Sequence, residues 1–221
     1  MKLKKWLVLL MAAVLVIIMA GCGANKPAES DKDNSTEIAV NDSGTEEDSS
    51  GENAIGDGKV MVVYFSYTGH LDSMAHWIAD ETGGDLFRVT AKEAYSDNYD
   101  ETVDRAKKEQ DEDVRPDINV DITTEQLAGY DTVFFGFPVW WYDIPMPMYT
   151  FLDSYDFSGK TIIPFLSHEG TSNGGSAKET IEQHASGADL RFDDALSIKG
   201  GDVESSEQDV RSWVNSLGYK K

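Results

Sequence analysis

The chain has 221 residues and a mass of 24.4 kDa, with 40 acidic side chains against 19 basic ones and a formal net charge of −21. A hydrophobic content of 40% supports a folded core, so global disorder is excluded. Nucleic-acid binding is excluded as well, because phosphate recognition requires clustered lysine and arginine and the sequence pI is about 4.3. The single cysteine, Cys22, excludes a disulfide framework and a cysteine-based zinc site.

Residues 1–22 have the pattern of an export signal. Three lysines and no acidic residue precede an uncharged stretch at 6–20, which is shorter than the roughly 20 apolar residues that a bilayer span needs. Met19-Ala20-Gly21-Cys22 then resembles the lipobox of bacterial lipoproteins, which implies cleavage before Cys22 and attachment of acyl chains to it. We therefore expect export and anchoring to the outer face of a bacterial cell membrane, with the lipid as the only membrane contact. An ordinary signal peptide and a buried thiol are the alternatives.

The next segment is acidic and poor in large apolar residues. Residues 23–59 contain ten carboxylates and three lysines, and such a composition cannot offset its chain entropy by burial. The sequence therefore predicts three parts: a lipoprotein signal peptide at 1–22, a disordered acidic tether at 23–58 and a folded domain at 59–221. Residues 60–221 carry a net charge of −17, because the signal contributes +3 and residues 23–59 contribute −7.

The folded part alternates between strand and helix patterns. Continuous apolar runs with β-branched residues predict strands covered on both faces, and apolar residues three and four positions apart predict helices. The first half predicts, in chain order, a strand at Val60–Phe65, a helix at Leu71–Ala79 stopped by Gly83, a strand at Asp85–Thr90, a charged helix outside the sheet at Tyr99–Glu109 and a short helix at Asp121–Gly129. The second half predicts a strand at Thr132–Phe137 ended by Pro138, a helix at Met146–Leu152, a strand at Thr161–Leu166, a helix at Ala177–Ala185, a weak strand at Ala188–Phe192 and a closing helix at Gln208–Leu217. This alternation predicts an α/β fold with a doubly wound, five-stranded parallel sheet.

Three loops of such a sheet are candidate site loops, because ligands bind beyond the carboxyl ends of parallel strands. The first is Ser66-Tyr67-Thr68-Gly69-His70-Leu71, where backbone N–H groups at a helix start and two hydroxyls suit a single phosphate. It has neither the lysine-bearing phosphate loop of nucleoside triphosphatases nor the three-glycine dinucleotide pattern. A capped helix end that binds nothing is the alternative.

The second loop is aromatic and the third is small and polar. Pro138-Val139-Trp140-Trp141-Tyr142 places three adjacent aromatics in a proline-bounded loop, and we expect at least one of them to stand at the surface as a platform for a planar ring. A hydrophobic plug over the sheet edge is the alternative. Ser167-His168-Glu169-Gly170 opens the third loop, in which His168 is a candidate proton donor, against the commoner case of an inert surface histidine. Together the loops predict a mononucleotide with a large planar ring.

Residues 60–217 resemble the flavodoxin family. The similarity is carried by the stretches Tyr64–Gly69 (YFSYTG), Gly83–Phe87 (GGDLF), Gly136–Trp141 (GFPVWW) and Phe157–Phe165 (FSGKTIIPF). It implies strand order 2-1-3-4-5, which is flavodoxin's own order and comes from the resemblance alone. It also implies FMN as the cofactor, with the phosphate on residues 66–71, the ring against residues 139–142, and residues 167–170 along the other edge of the ring.

The resemblance further implies a redox function, because FMN supplies the chemistry and the protein tunes it. Few cations near the ring and a charge of −17 favour an electron carrier of low potential that acts on a redox partner protein with a basic face. One alternative is an NAD(P)H:quinone-type FMN reductase with a small quinone-like acceptor. An alternative of another class is a non-enzymatic surface binding domain, whose FMN site is weakened by Leu71 in place of a hydroxyl residue and by the charge of Asp72. A phospho-acceptor receiver domain is excluded, because its acidic residues are absent after the first and third strands.

Overall fold

The computed structural model describes residues 58–219 and residue 221. The predicted signal peptide at 1–22, the predicted lipid site at Cys22 and the tether up to residue 57 lie outside these residues. Among the described residues, no helix is long and apolar enough to cross a membrane.

The described residues form a sheet of seven strands. They are β1 (Val60–Phe65), β2 (Asp85–Ala91), β3 (Ile118–Asn119), β4 (Thr132–Pro138), β5 (Thr161–His168), β6 (Asp189–Leu190) and β7 (Leu196–Lys199). Their order is β3-β2-β1-β4-β5-β6, and β7 also pairs with β5. Every pair is parallel except β2 with β3. The predicted α/β class and the order 2-1-3-4-5 are confirmed, since the five predicted strands correspond to β2-β1-β4-β5-β6 in this arrangement.

Two strands escaped the sequence prediction, and a third was given the wrong extent. β3 is an antiparallel edge strand of two residues, too short to show a periodic pattern. β7 has the four-residue sequence LSIK and pairs with residues 165–168 of β5. The predicted fifth strand, Ala188–Phe192, pairs only through Asp189 and Leu190, because a 3-10 turn at Phe192–Asp194 separates it from β7. The sheet therefore has seven strands in the described part of the chain, where five were predicted.

Six α-helices occur in the described part of the chain. They are α1 (His70–Thr82), α2 (Tyr99–Asp111), α3 (Thr124–Ala128), α4 (Met146–Ser154), α5 (Ala177–His184) and α6 (Glu207–Ser216). Each lies where the sequence pattern predicts a helix, with ends that differ by up to three residues. Thr123 caps α3: its hydroxyl accepts from the Gln126 N–H, and the Gln126 side chain accepts from the Thr123 N–H.

The sheet is covered on both faces, which explains its continuous apolar strands. Successive side chains of a strand point to opposite faces. Met61 and Val63 of β1 therefore join a core cluster with residues of α4 and α5, and Val62 joins a second cluster with residues of α1 and α6. Gly136 of β4 lies beside the ring of Phe165 on β5, and an added Cβ would overlap that ring. No residue of α2 belongs to either cluster, in agreement with its predicted place outside the sheet.

Candidate functional site

The three candidate loops lie together at one edge of the sheet. They follow the carboxyl ends of β1, β4 and β5, which are neighbouring parallel strands. The Val139 N–H donates to the Ser167 carbonyl oxygen at 2.8 Å, and the ring centroids of Tyr67 and Trp140 are 5.9 Å apart. β1 is also the point where strand order reverses, because β2 lies on one side of it and β4 on the other. The loops therefore meet where an open α/β sheet places its ligand.

Gly69 gives the β1–α1 loop its shape. Its φ is 95°, in the left-handed region, and an added Cβ would meet no atom within 4 Å, so the requirement for glycine is conformational. The buried Ser66 hydroxyl accepts a hydrogen bond from the Gly69 N–H at 3.1 Å. α1 then begins at His70 without a side-chain cap, so the N–H groups of its first turn remain open to an anion.

Side chains contribute less to this loop than the sequence predicted. The Leu71 side chain is buried in the core cluster under α1, so only its backbone is available to a ligand. Thr68 is exposed and His70 is half-buried. The His70 ring and the Glu169 carboxylate both lie close to the backbone of Gly200, and an added Cβ at that residue would overlap both of them. The groups of this loop that an anion could reach are therefore backbone N–H groups and the exposed Thr68 hydroxyl.

Asp72 in the first turn of α1, whose charge was expected to repel a phosphate, is paired with Tyr64 and Arg88. Its Oδ1 accepts a hydrogen bond from the Tyr64 hydroxyl at 2.8 Å and lies 3.1 Å from Arg88 Nη1. Arg88 also donates from Nη2 to the Ser66 carbonyl oxygen at 3.2 Å. Burial, with the hydrogen bond to Asp72, raises the pKa of Tyr64 and keeps it a donor. The sequence pattern did not identify Arg88 as a residue of the site, because its position opposite Tyr64 depends on the register of β1 with β2.

The three aromatics of the β4–α4 loop divide between packing and exposure. Trp140 points inward and makes edge-to-face contacts with the rings of Phe65, Tyr67 and Tyr95, at centroid distances of 5.4, 5.9 and 5.1 Å. Trp141 is 42% exposed and Tyr142 is 69% exposed. Trp140 therefore packs as expected for a hydrophobic plug over the sheet edge. Trp141 and Tyr142 are exposed, as expected for a surface platform.

Trp141 and Tyr142 occupy a turn that bulky residues rarely adopt. Trp140 and Asp143 form an antiparallel bridge, with reciprocal N–H to carbonyl hydrogen bonds of 2.9 and 3.0 Å. Between them φ is 48° at Trp141 and 66° at Tyr142, the φ pattern of a type I′ hairpin, in which asparagine and glycine are usual. We call residues 140–143 the aromatic turn. Its backbone is strained, as is common at functional sites.

The buried carboxylate of Asp143 supports the aromatic turn and was not foreseen from the sequence. Its Oδ1 accepts from the Ile144 N–H at 2.7 Å. Its Oδ2 accepts from the hydroxyls of Tyr149, Ser176 and Thr180 at 2.9, 2.8 and 2.9 Å. Burial raises the pKa of Tyr149 to about 12, and the neighbouring Asp143 adds to the shift. The donors lie up to 37 positions away in the chain, so no local pattern reveals them.

A cavity of about 290 Å³ lies between the aromatic turn and α2. Its lining residues are Tyr67, Tyr99, Thr102, Val103, Ala106, Val139, Trp140 and Trp141. The hydroxyls of Tyr67 and Thr102 both donate to the Ser96 carbonyl oxygen, at 2.9 and 2.8 Å, so towards a ligand they can act only as acceptors. The α2 residues were missed as site residues, although positions 99, 102, 103 and 106 have the spacing of one helical face. The cavity therefore offers apolar and aromatic walls without a charged lining residue.

The third loop contributes one polar atom without a partner. Ser167 and His168, predicted as loop residues, are the last two residues of β5, because β7 extends the pairing to that point. Ser167 is buried, while Glu169 and Gly170 are exposed. Among the described residues, His168 Nδ1 is a buried side-chain atom with no hydrogen-bond partner. A buried polar atom of this kind calls for a ligand group or a water as its partner.

The fold and the site define a class of protein: a doubly wound α/β domain with an uncapped helix start and an aromatic loop at the point where strand order reverses. Within the described residues, no group of three or more histidine, cysteine, aspartate or glutamate side chains is arranged to hold a metal ion. A family model described as Flavodoxin (Flavodoxin_4) matches residues 59–217. The chain belongs to the flavodoxin family.

Solved structures similar to this chain include three bacterial proteins. One from Bacteroides uniformis, provisionally named a flavoprotein, is 28% identical over 72% of this chain and 98% of its own length, with a TM-score of 0.60. A second provisionally named flavoprotein, from Bacteroides eggerthii, is 25% identical over 74% of this chain and all of its own, with a TM-score of 0.61. A flavoprotein from Lactobacillus acidophilus, solved in complex with FMN, is 22% identical over 67% of this chain and 97% of its own, with a TM-score of 0.52.

Proposed function

We propose that the protein binds FMN between its β1–α1 and β4–α4 loops and transfers electrons. The observation that carries this proposal is the meeting of an uncapped α1 start with exposed aromatics at the strand reversal. Membership of the flavodoxin family supports the cofactor, as does the FMN complex of the Lactobacillus acidophilus protein.

The residues present fit both ends of FMN. The N–H groups of His70 and Leu71 and the Thr68 hydroxyl would hold the phosphate. Trp141 would offer its indole face to the ring. His168 Nδ1, buried and without a partner, would exchange a hydrogen bond with the ligand, as acceptor or donor according to its tautomer.

FMN, when bound, would supply electron-transfer chemistry, and the protein's own contribution is electrostatic. Residues 60–221 carry a charge of −17. Lys107, whose Nζ lies 5.5 Å from the centre of the Trp141 ring, is paired with Asp111. The high negative charge of the domain and the pairing of Lys107 disfavour additional negative charge at the site. They would therefore lower the reduction potential of a cofactor bound there. A low potential suits an electron carrier, and the acidic surface suits a redox partner protein with a basic face.

The cavity beside α2 favours a second candidate function. At about 290 Å³ it is large enough for a small planar molecule, and its walls are apolar and uncharged. A reductase of the NAD(P)H:quinone type could hold a small quinone-like acceptor there, next to the aromatic turn. The third possibility, a binding domain with a weakened FMN site, loses part of its support because Asp72 is paired with Arg88.

Reconstitution tests the cofactor and separates these functions. Full-length protein is incubated with FMN, desalted and examined for the visible absorption bands of oxidised flavin. Retained colour supports FMN binding, and a colourless protein would favour the non-enzymatic binding domain. NADPH and a naphthoquinone are then added to the yellow protein. Turnover of NADPH supports the reductase, and its absence supports the carrier.

We also propose that Cys22 carries a lipid that anchors the protein at the outer face of a bacterial membrane. The proposal is supported by the basic start, the short apolar stretch and the position of the chain's one cysteine after Ala20-Gly21. Cys22→Ser is expected to move the protein from the membrane fraction to the soluble fraction. Membrane retention of Cys22→Ser would contradict the lipid anchor.

A further inference from the structure

We infer that Asp143 is a positioning residue of the proposed flavin site: its carboxylate holds the aromatic turn in its left-handed conformation and thereby fixes where Trp141 stands. The inference rests on the proposed function, since it assigns Trp141 to the ring of FMN. It concerns a side chain that would not itself contact the cofactor.

The aromatic turn needs such support because its backbone is costly. Left-handed φ values at Trp141 and Tyr142 bring Cβ close to the backbone, and neither residue has the short polar side chain that eases this conformation. Tyr142 is 69% and Trp141 42% exposed, so packing offsets only part of the cost, and the Trp141 carbonyl oxygen has one contact to α2, from Gln110 Nε2 at 3.3 Å. The stabilisation must therefore come from groups outside the two residues.

The surrounding hydrogen bonds supply that stabilisation. Asp143, 7% exposed, accepts one backbone and three hydroxyl hydrogen bonds, which satisfies both carboxylate oxygens. Tyr149 is on α4, Thr180 is on α5, and Ser176 is the residue before α5, so the carboxylate ties the turn to two helices. None of the ion pairs in the described part of the chain includes Asp143. Hydrogen-bond geometry, rather than a partner cation, therefore directs this carboxylate.

A second set of contacts fixes the carbonyl group inside the turn. The Tyr142 carbonyl oxygen accepts from the Ser176 N–H at 2.8 Å, and it lies 3.1 Å from the Ser176 hydroxyl, whose one hydrogen is donated to Asp143 Oδ2 at 2.8 Å. Ser176 thus bonds both to this carbonyl oxygen and to the Asp143 carboxylate. Removal of the carboxylate would free the turn to relax toward negative φ, which rotates the peptide after Trp141 and moves the indole. Loss of Asp143 should therefore disturb the ring side of the site and leave the β1–α1 loop unchanged.

A double-mutant cycle in full-length protein separates positioning from general stability. Asp143→Asn is expected to raise the Kd for FMN about tenfold, because binding would then have to restore the left-handed conformation of roughly one residue. In a Trp141→Ala background the same substitution should change the Kd less than about twofold, because the group that it positions is absent. The melting temperature should fall by the same amount in both backgrounds. Equal effects on Kd in both backgrounds would overturn the inference.

Two further variants act as rescue and control. Tyr142→Gly removes the cost of one left-handed position, so Asp143→Asn should affect FMN affinity less in that background. Asp85→Asn, at the start of β2 and so at the opposite edge of the sheet from the site loops, removes a carboxylate that accepts from the Tyr130 hydroxyl and pairs with Lys59, and should lower stability without changing the Kd. A rise in Kd for Asp85→Asn would show that any loss of stability weakens FMN binding.

A flavin-free measurement keeps the inference testable if FMN does not bind. Fluorotryptophan-labelled protein gives a separate fluorine NMR signal for each tryptophan, and Trp141→Ala identifies the signal of Trp141. Asp143→Asn should shift or broaden that signal and leave those of Trp77 and Trp213 in place. An unmoved Trp141 signal refutes the positioning role, whereas a moved signal in a protein that binds no FMN refutes only the proposed function.

Discussion

The two ends of the candidate site are shaped by different means. The β1–α1 loop takes its form from the backbone: Gly69 supplies the left-handed position, and the donors are N–H groups of the first turn of α1. The aromatic turn adopts left-handed positions without glycine and depends on Asp143 and Ser176 to hold them. A site formed by backbone groups should tolerate changes of side chain, whereas a turn held by buried side chains should not. FMN and riboflavin, which differ by the phosphate, can test the two ends separately.

Gly175→Ala should have the largest effect, and it should act on the aromatic turn. Its φ is 65°, and an added Cβ would collide with the Tyr142 carbonyl oxygen, which must then shift. We expect the free energy of unfolding to fall by about 2–4 kcal/mol, from overpacking and backbone strain together. The affinities for FMN and riboflavin should fall in parallel. Urea denaturation and flavin titration measure these effects.

Gly170→Ala is the matched control in the same loop. No atom of the described residues lies within 4 Å of its added Cβ, and its φ is not positive, so the free energy of unfolding should stay close to that of the parent protein. Because residues 167–170 are candidate contacts of the flavin ring, the control concerns stability alone. A large loss in Gly170→Ala would mean that the β5–α5 loop is sensitive to any substitution. The assigned role of Gly175 would then fail.

Gly69→Ala should have a smaller effect, confined to the phosphate end. The site has room for a Cβ, so the cost is the left-handed conformation alone, about 1–2 kcal/mol. If the loop relaxes to avoid this cost, FMN affinity falls while riboflavin affinity does not. Gly69→Asn should recover part of the loss, because asparagine tolerates this conformation. Equal losses for both flavins would contradict the separation of the two ends.

The sequence predicted most of the fold because parallel strands covered on both faces are long apolar runs, as in Val60–Phe65. β3 and β7 escaped prediction because two and four residues are too few to show a period. α2 is a different case, because the helix itself was predicted and only its contribution to the site was missed. The face that lines the cavity, at positions 99, 102, 103 and 106, was present in the sequence, but the many charged residues of α2 obscured it.

The strand pattern also predicted where the loops of the site lie, but it did not predict the geometry inside each loop. Trp140 and Trp141 are identical and adjacent, yet one packs against three rings and the other is exposed. Apart from the near neighbours Ile144 and Tyr149, Asp143 and Arg88 act through partners 16 to 37 positions distant. Such contacts depend on strand register and helix packing, which a local pattern does not specify. Prediction therefore located the site and could not assign its supporting residues.

Arg88→Gln should have the smallest effect and should act on the phosphate end through charge. Without the guanidinium, Asp72 keeps its hydrogen bond from Tyr64 but lies uncompensated in the first turn of α1. Both side chains are partly exposed, so the loss of FMN affinity should be about 0.5–1 kcal/mol, and added salt should reduce it. Riboflavin affinity should not change, because it lacks the phosphate. Asp72→Asn in the Arg88→Gln background removes the uncompensated charge and should restore FMN affinity. If Arg88→Gln instead weakens both flavins equally, the guanidinium acts through its bond to the Ser66 carbonyl oxygen, and side-chain support extends to both ends of the site.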